Sequence, residues 1–287
     1  SISAAIAHLQ SSIDSGSGAV LVDADVDAAN LSLALKPVQS ERSDFWGGSL
    51  AEINPDLCTG CEVCKPVCRY DAVLPDPNDA RKCWINPIAC DGCAACVYAC
   101  PEGAIKMMVQ QEGYWFRSET LYGTLFHAEL FPGRENSGKL VTLIKQHARL
   151  WAEETSTPLV IIDGPPGIGC PVISACAGAD LGLIVTEPSL AGLHDLKRIQ
   201  ATLQHFCVPQ VICINKADIY PEGTQQIREF ALEHGIQMLG EIAYDERIPQ
   251  SMLMGKPVTE AYPQSEASGS INEIWKQTLE LLISTDG

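Results

Sequence analysis

The chain has 287 residues, 36 acidic and 19 basic side chains and 13 cysteines, with a formal net charge of -17. At 46% apolar residues it can bury a core, which excludes a disordered chain, and the length suits one large or two modest domains. The acidic balance excludes general binding to nucleic acid or anionic lipid, since both repel it.

Residues 1–14 carry Ile2, Ile6, Leu9 and Ile13 at helical spacing, which predicts a helix with one buried face; Ser15-Gly16-Ser17-Gly18 ends it. Residues 19–23 (AVLVD) form an apolar run closing on an acid, the pattern of a buried parallel strand with a functional carboxyl end. From 54 to 106 the composition changes: nine cysteines and six prolines, with little periodicity, describe a small unit held by metal. Beyond Gly113, strands are expected at 159–163, 181–186, 211–215 and 238–242, and helices at 137–154, 193–206, 224–233 and 271–283. This alternation predicts an α/β fold, a doubly wound and mostly parallel sheet built from 1–53 and 111–287, with 54–110 inserted as a small α+β domain. No internal repeat beyond the two cysteine runs is expected. No apolar run approaches the roughly 18 residues of a membrane span, and no basic, apolar leader is visible. A reducing, cytoplasmic setting follows from cysteines clustered for metal.

Those runs are Cys58-x2-Cys61-x2-Cys64-x3-Cys68 and Cys90-x2-Cys93-x2-Cys96-x3-Cys100-Pro101. Two such runs are the pattern of a two-cluster bacterial ferredoxin, whose fourth cysteine crosses to the other cubane. On that rule one [4Fe-4S] cluster takes Cys58, Cys61, Cys64 and Cys100, and the other Cys90, Cys93, Cys96 and Cys68. Gly60 and Gly92 would let backbone amides crowd the inorganic sulfides. Zinc is the weaker alternative, because its sites pair two CxxC units across a longer gap. Cys83, the ninth cysteine of this block, reads as a structural or spare thiol.

Acids close three expected strand ends or follow them: Asp23 and Asp25 in VDADVDAANL, Asp163 in IIDGPPGIG and Asp218 in NKAD. In a doubly wound fold these lie along one edge, where ligands bind. With the two cysteine runs and YGTLFHAELFPGRENSGKLV, VTEPSLAGLHDLKR and GEIAYDERIP, they make the chain resemble, almost end to end, the MinD/ParA group of P-loop ATPases, in its branch with an inserted two-cluster ferredoxin domain. The resemblance implies ATP or ADP with Mg²⁺ as a further cofactor. It implies Asp163 as the Walker B acid, Asp23 and Asp25 in switch I with Asp25 near the attacking water, Gly167 as the γ-phosphate sensor, and Asn215 facing adenine. Asn30 joins the nucleotide-binding residues, and Ser1 is the Mg²⁺-binding hydroxyl or the residue after it. Ala29 stands where the family often has Pro. The family's phosphate loop, GKGGxGK[ST], should immediately precede the first helix, where this sequence begins. A member whose first strand and loop are truncated or lost is therefore expected, and loss would end ATP hydrolysis. Gly133–Lys139 fits GxxxxGK, but Leu140 follows where Ser or Thr is needed, so it reads as a helix start with Ser137 near the cap.

Other residues get ordinary readings beside sharper ones. Cys170 is a cluster ligand or nucleotide sensor, as a cysteine is in the related nitrogenase iron protein, or a small buried residue at a helix start. Cys176, Cys207 and Cys213 read as core. His127 and His194 read as surface or supporting residues, Trp115 and Phe116 as packing for a strand leaving the insert, and Lys139 as a helix-start cation with some reach to a phosphate. The combination suggests a homodimer whose nucleotide state governs electron transfer from the two clusters to a protein partner. The alternatives are an assembly carrier for iron–sulfur or other metallocofactors, as in Mrp-type ATPases, and a nucleotide-free ferredoxin on a degenerate scaffold. A DNA- or membrane-positioning role is disfavoured by charge.

Overall fold

The computed structural model describes residues 1–13, 18–27, 29–133 and 137–285. The expected breaker at 15–17, Ala28 of the first acidic motif, and 134–136 of the GxxxxGK segment lie outside the described residues. In chain order the elements are α1 (Ile2–Ile13), β1 (Val20–Asp23), α2 (Leu31–Leu35), β2 (Gln39–Ile53), β3 (Val73–Pro75), β4 (Cys83–Ile85), α3 (Ala95–Ala99) and β5 (Ile105–Thr120). There follow β6 (Gly123–Leu130), α4 (Ser137–Glu154), β7 (Val160–Asp163), α5 (Cys170–Cys176), β8 (Gly182–Thr186), α6 (Leu190–His205), β9 (Gln210–Asn215), α7 (Pro221–Glu233), β10 (Gln237–Ile242), α8 (Arg247–Leu253), α9 (Val258–Ala261) and α10 (Glu266–Thr285). The chain divides into two compact units, 1–43 with 114–287, and 44–113. The smaller begins ten residues before the expected boundary at 54 and ends three after the one at 110, because it starts within β2 and ends within β5.

The large unit is α/β, with strands in two sheets where one was expected. The first has the order β2-β5-β6-β1-β7, the second β10-β9-β8. Strand β1 runs parallel to β6 and β7, and β9 parallel to β8 and β10. Among the described residues no strand pairs with the second edge of β7 or of β8. Helix α1 serves both sheets. Its Ala4 and Ala7 pack with Ala19 and Leu21 of the first sheet's core, while Ala5 packs with Val211 and Cys213 of the second. All three alanines are fully buried, and their small size lets the helix lie close on both sides. A third core, under α6 and α7, centres on Ile212, Ile214 and Ile227. Helix α6 starts on Ser189, whose hydroxyl accepts from Gly192 N–H at 2.9 Å.

The long strand β2 and the strand β6 were not foreseen from sequence, and β5 was expected only as a strand leaving the insert at Trp115 and Phe116. The small unit contributes a two-stranded antiparallel pair, β3 with β4, and the short helix α3. Its core is Ala51, Cys64, Ala72, Val73, Cys83, Ile85, Cys96 and Ile105. Three of these eight are thiols, so there is little hydrocarbon to hold the unit by itself.

Candidate functional site

The cysteine unit is built as a repeat longer than the cysteine runs. Ile53-Asn54-Pro55 precedes the first run and Ile85-Asn86-Pro87 the second, 32 residues on, and Ala72-Val73 and Ala104-Ile105 follow at the same interval. The two copies make the same bonds. The carbonyl of Asn54 accepts from Leu57 and Cys58 N–H, and that of Asn86 from Ala89 and Cys90 N–H. The side-chain oxygen of Asn54 takes Asp56 N–H at 2.9 Å, that of Asn86 Ile88 N–H at 3.0 Å. Ala72 N–H donates to Cys68 Sγ at 3.3 Å, and Ala104 N–H to Cys100 Sγ at 3.4 Å. The copies also close each other: Asn54 N–H donates to Ala104 C=O and Asn86 N–H to Ala72 C=O, both at 2.8 Å. Gly60 and Gly92 sit at φ +73° and +74°, and a Cβ on them would overlap the carbonyls of Arg81 and Ser49 respectively. Both glycines are therefore required by backbone packing between the copies.

Exposure follows the repeat too. Cys61 and Cys93 are exposed, Cys64 and Cys96 buried, and Cys58, Cys68, Cys90 and Cys100 between. One cavity is lined by Cys58, Cys61, Cys64 and Cys100, with Ile53, Ala104 and Ile105. Cys68 is not on its wall; it lies electrostatically close to Cys96 instead, with Cys90 and Cys93. Thus three thiols of one run meet the fourth of the other. Among the described residues no three of Cys, His, Asp and Glu converge tightly enough for a single metal ion. Sulfurs rimming a shared cavity suit a multi-iron group. Burial pushes the Cys64 thiol up to about 12, with neighbouring Cys83 adding to it, and raises Cys96 and Cys83 as well. Binding metal must therefore expel protons that the apo protein holds firmly.

The second site lies in the large unit. Asp23 and Asp163 end paired parallel strands in register, so both carboxylates stand at one edge. Ser3 Oγ donates to Asp163 at 2.5 Å and Ser1 Oγ reaches its other oxygen at 3.5 Å. Burial raises Asp163, against the Ser3 hydrogen bond, which lowers it. The sequence singled out Ser1 but not Ser3; two hydroxyls in the first turn of α1 were the available signal. The Asp23 carboxylate accepts the backbone N–H groups of Asp25 (3.2 Å), Asn30 (3.1 Å) and Leu31 (2.9 Å), so it ties β1 to the start of α2. Burial nonetheless lifts it to about 6, with the Leu31 amide opposing and Asp163 adding repulsion. Asp25 is half-buried beside them, and Asn30 is exposed at the start of α2 without a side-chain cap bond. Gly167 stands at φ +89° after β7, with open space where a Cβ would be. Asn215, at the end of β9, donates to Glu187 at 3.4 Å, and Lys216 pairs with the same carboxylate at 2.7 Å.

Three readings of other residues change, those of His127, Cys170 and Cys207. His127 is buried, with Nε2 2.9 Å from Ser118 Oγ, and burial pulls it down to about 4. Cys170 is exposed at the start of α5, where its Cβ lies close against Gly138 of α4. Cys207 is exposed at φ +56° in the turn after α6, while Cys176 and Cys213 are buried. Ser137 is the first residue of α4. Trp115 stacks on His147 and Phe116 on His127 along β5, and His194 is exposed.

A family described as a 4Fe-4S dicluster domain matches residues 50–101. The uncharacterized protein MJ0578 of Methanocaldococcus jannaschii is 32% identical over 263 residues, covering 92% of this chain and 86% of that protein. The chain belongs to the family of MJ0578. The aligned 92% of this chain reaches into both units, the larger with a MinD/ParA-like α/β fold and the smaller holding the 4Fe-4S dicluster match. The fold is seen in the Pyrococcus furiosus cell division ATPase MinD, which superposes with a TM-score of 0.56 at 16% identity over 98% of this chain and 92% of that one. An iron-sulfur cluster carrier protein of Aquifex aeolicus is 26% identical over 136 residues, covering 42% of this chain and 37% of its own length. No helix among the described residues is long and apolar enough to cross a membrane.

Proposed function

We propose that the chain couples nucleotide state to one-electron delivery from two [4Fe-4S] groups to a protein partner. The supporting observation is the interlocking of the cysteine sets: each copy of the repeat closes the other, so a bound group is part of the unit's framework. Cys58, Cys61, Cys64 and Cys100 hold one group, and Cys90, Cys93, Cys96 and Cys68 the other. When bound, each supplies a reversible one-electron store. Cys61 and Cys93 bring both sites to the surface, and Ile88 and Tyr98, 95% and 90% exposed, offer apolar contacts for docking. The acidic chain favours a partner with a basic face.

In the large unit, Asp163 with Ser1 or Ser3 positions Mg²⁺, Asp25 orients the attacking water and Gly167 meets the γ-phosphate. Asn215 faces adenine once Glu187 releases it, and Asp23 and Asn30 shape the switch loop. Nucleotide would close a homodimer and alter how the cysteine unit meets its partner. Titration calorimetry with ATP and Mg²⁺ checks the nucleotide half: no heat with this 287-residue chain sinks it for this sequence.

A second reading, an assembly carrier, is favoured by the likeness to the Aquifex aeolicus carrier protein. The two part on iron transfer. Incubated with an apo-acceptor, an electron carrier keeps about eight irons and is reduced by a low-potential donor. Transfer of iron to the acceptor overturns electron delivery in favour of the carrier.

A further inference from the structure

The two copies in the cysteine unit differ at one buried position. Cys83, on β4, corresponds to Ala51, 32 residues earlier. Both are buried, at 6% and 5% exposure. Cys83 lines the cavity that Cys58, Cys61, Cys64 and Cys100 share, and it packs with Cys64 in the unit's core. The first site therefore has five thiols where its ligand set needs four. The second has a methyl group at the equivalent place.

We propose that Cys83 is a positioning thiol that donates an S–H···S hydrogen bond to a ligand sulfur of this cavity and makes the two sites electronically unequal. This rests on the reading that the four cavity cysteines hold a [4Fe-4S] group. Thiolates bound to iron carry no proton, so a fifth, non-ligating thiol on the cavity wall is the one sulfur there that can donate. A hydrogen bond to a ligand sulfur stabilises the more negative, reduced state and raises the reduction potential. The first site then takes an electron before the second, which gives an electron entering the unit a preferred resting place. Hydrocarbon at Ala51 provides no such donor.

The test is a redox titration of the anaerobically reconstituted full chain, followed by electron paramagnetic resonance, with iron counted in each variant. Cys83→Ala should lower one of the two midpoint potentials and leave the other in place. Cys83→Ser, which keeps a donor, should restore part of the shift. Ala51→Cys, which leaves Cys83 untouched, should raise the other potential and narrow the gap. Unchanged potentials in Cys83→Ala and Ala51→Cys overturn the assignment, as does a serine variant indistinguishable from alanine. A Cys83→Ala chain that holds only about four irons would make Cys83 a ligand and overturn it too. Failure of the underlying reading looks different: there the unsubstituted chain itself falls short of about eight irons.

Discussion

The two units solve the problem of a stable interior in opposite ways. The large unit buries aliphatic side chains in three cores, with Leu21, Ile144, Ile212, Ile227 and Ile271 among those almost fully enclosed. The small unit has eight core residues, three of them thiols, and relies on backbone bonds that run from one copy of its repeat to the other. The contrast shows what each can lose. A unit held by hydrocarbon degrades by increments as methyl groups are removed. A unit held by metal fails as a whole when the metal leaves.

The largest expected effect follows. Stripping iron with a chelator should abolish amide protection across 44–113 and leave the rest of the chain folded; hydrogen exchange with mass readout checks this. Protection surviving in the stripped small unit would erase the contrast. Next is Ile227→Ala, which opens a hole in a fully packed core. A loss of about 3 kcal/mol is expected, read by urea unfolding of the large unit, with iron content unchanged. A fall in iron would mean that the units are not independent.

Asp23 sharpens the comparison through pH. Its folded value of about 6 lies above the ordinary 3.8. Stability from the extra bound proton is full below about pH 4 and is lost as pH rises through about 6. Against Asp23→Asn, the protein should lose roughly 3 kcal/mol across that window. Unfolding curves over a pH series measure it, and a flat difference rejects the burial account. The smallest effect is at Ser189→Ala, which removes the α6 cap at a cost of about 1 kcal/mol; a melting curve should shift by a few degrees while the iron absorbance stays the same.

How much of this was legible depended on how local the signal was. Helices and strands between 137 and 242 stood out because short apolar runs are punctuated by turn residues, and α4 was read to the residue. Strand β2 was missed, and of β5 only the part at Trp115 and Phe116 was expected. Trp46 is 59% exposed and Val109 65%, and Gly47-Gly48 breaks the expected alternation, so neither strand looks half-buried. Their pairing comes from each other and from β6, far along the chain. The eight cysteines were legible from spacing alone, since ligand geometry is written in the interval between thiols. Ile-Asn-Pro before each run was equally visible and went unread. Ser3 was missed because helical periodicity directs the eye to apolar positions. Asp23 was found as a site acid, but three dispersed amides, invisible in sequence, define what its carboxylate does.

The reciprocal bonds between the copies also set an order in time. Asn54 is hydrogen-bonded to Ala104, and Asn86 to Ala72. During synthesis the first cysteine run is made before Cys100 and Ala104, so its cavity at first has no fourth wall. The second set, Cys68, Cys90, Cys93 and Cys96, and its Asn86–Ala72 bond are all present sooner. The first pocket cannot be finished until translation has passed residue 104. Iron delivered to it earlier would meet loose thiols instead of a shaped receptacle, which places its loading at the end of this segment's synthesis.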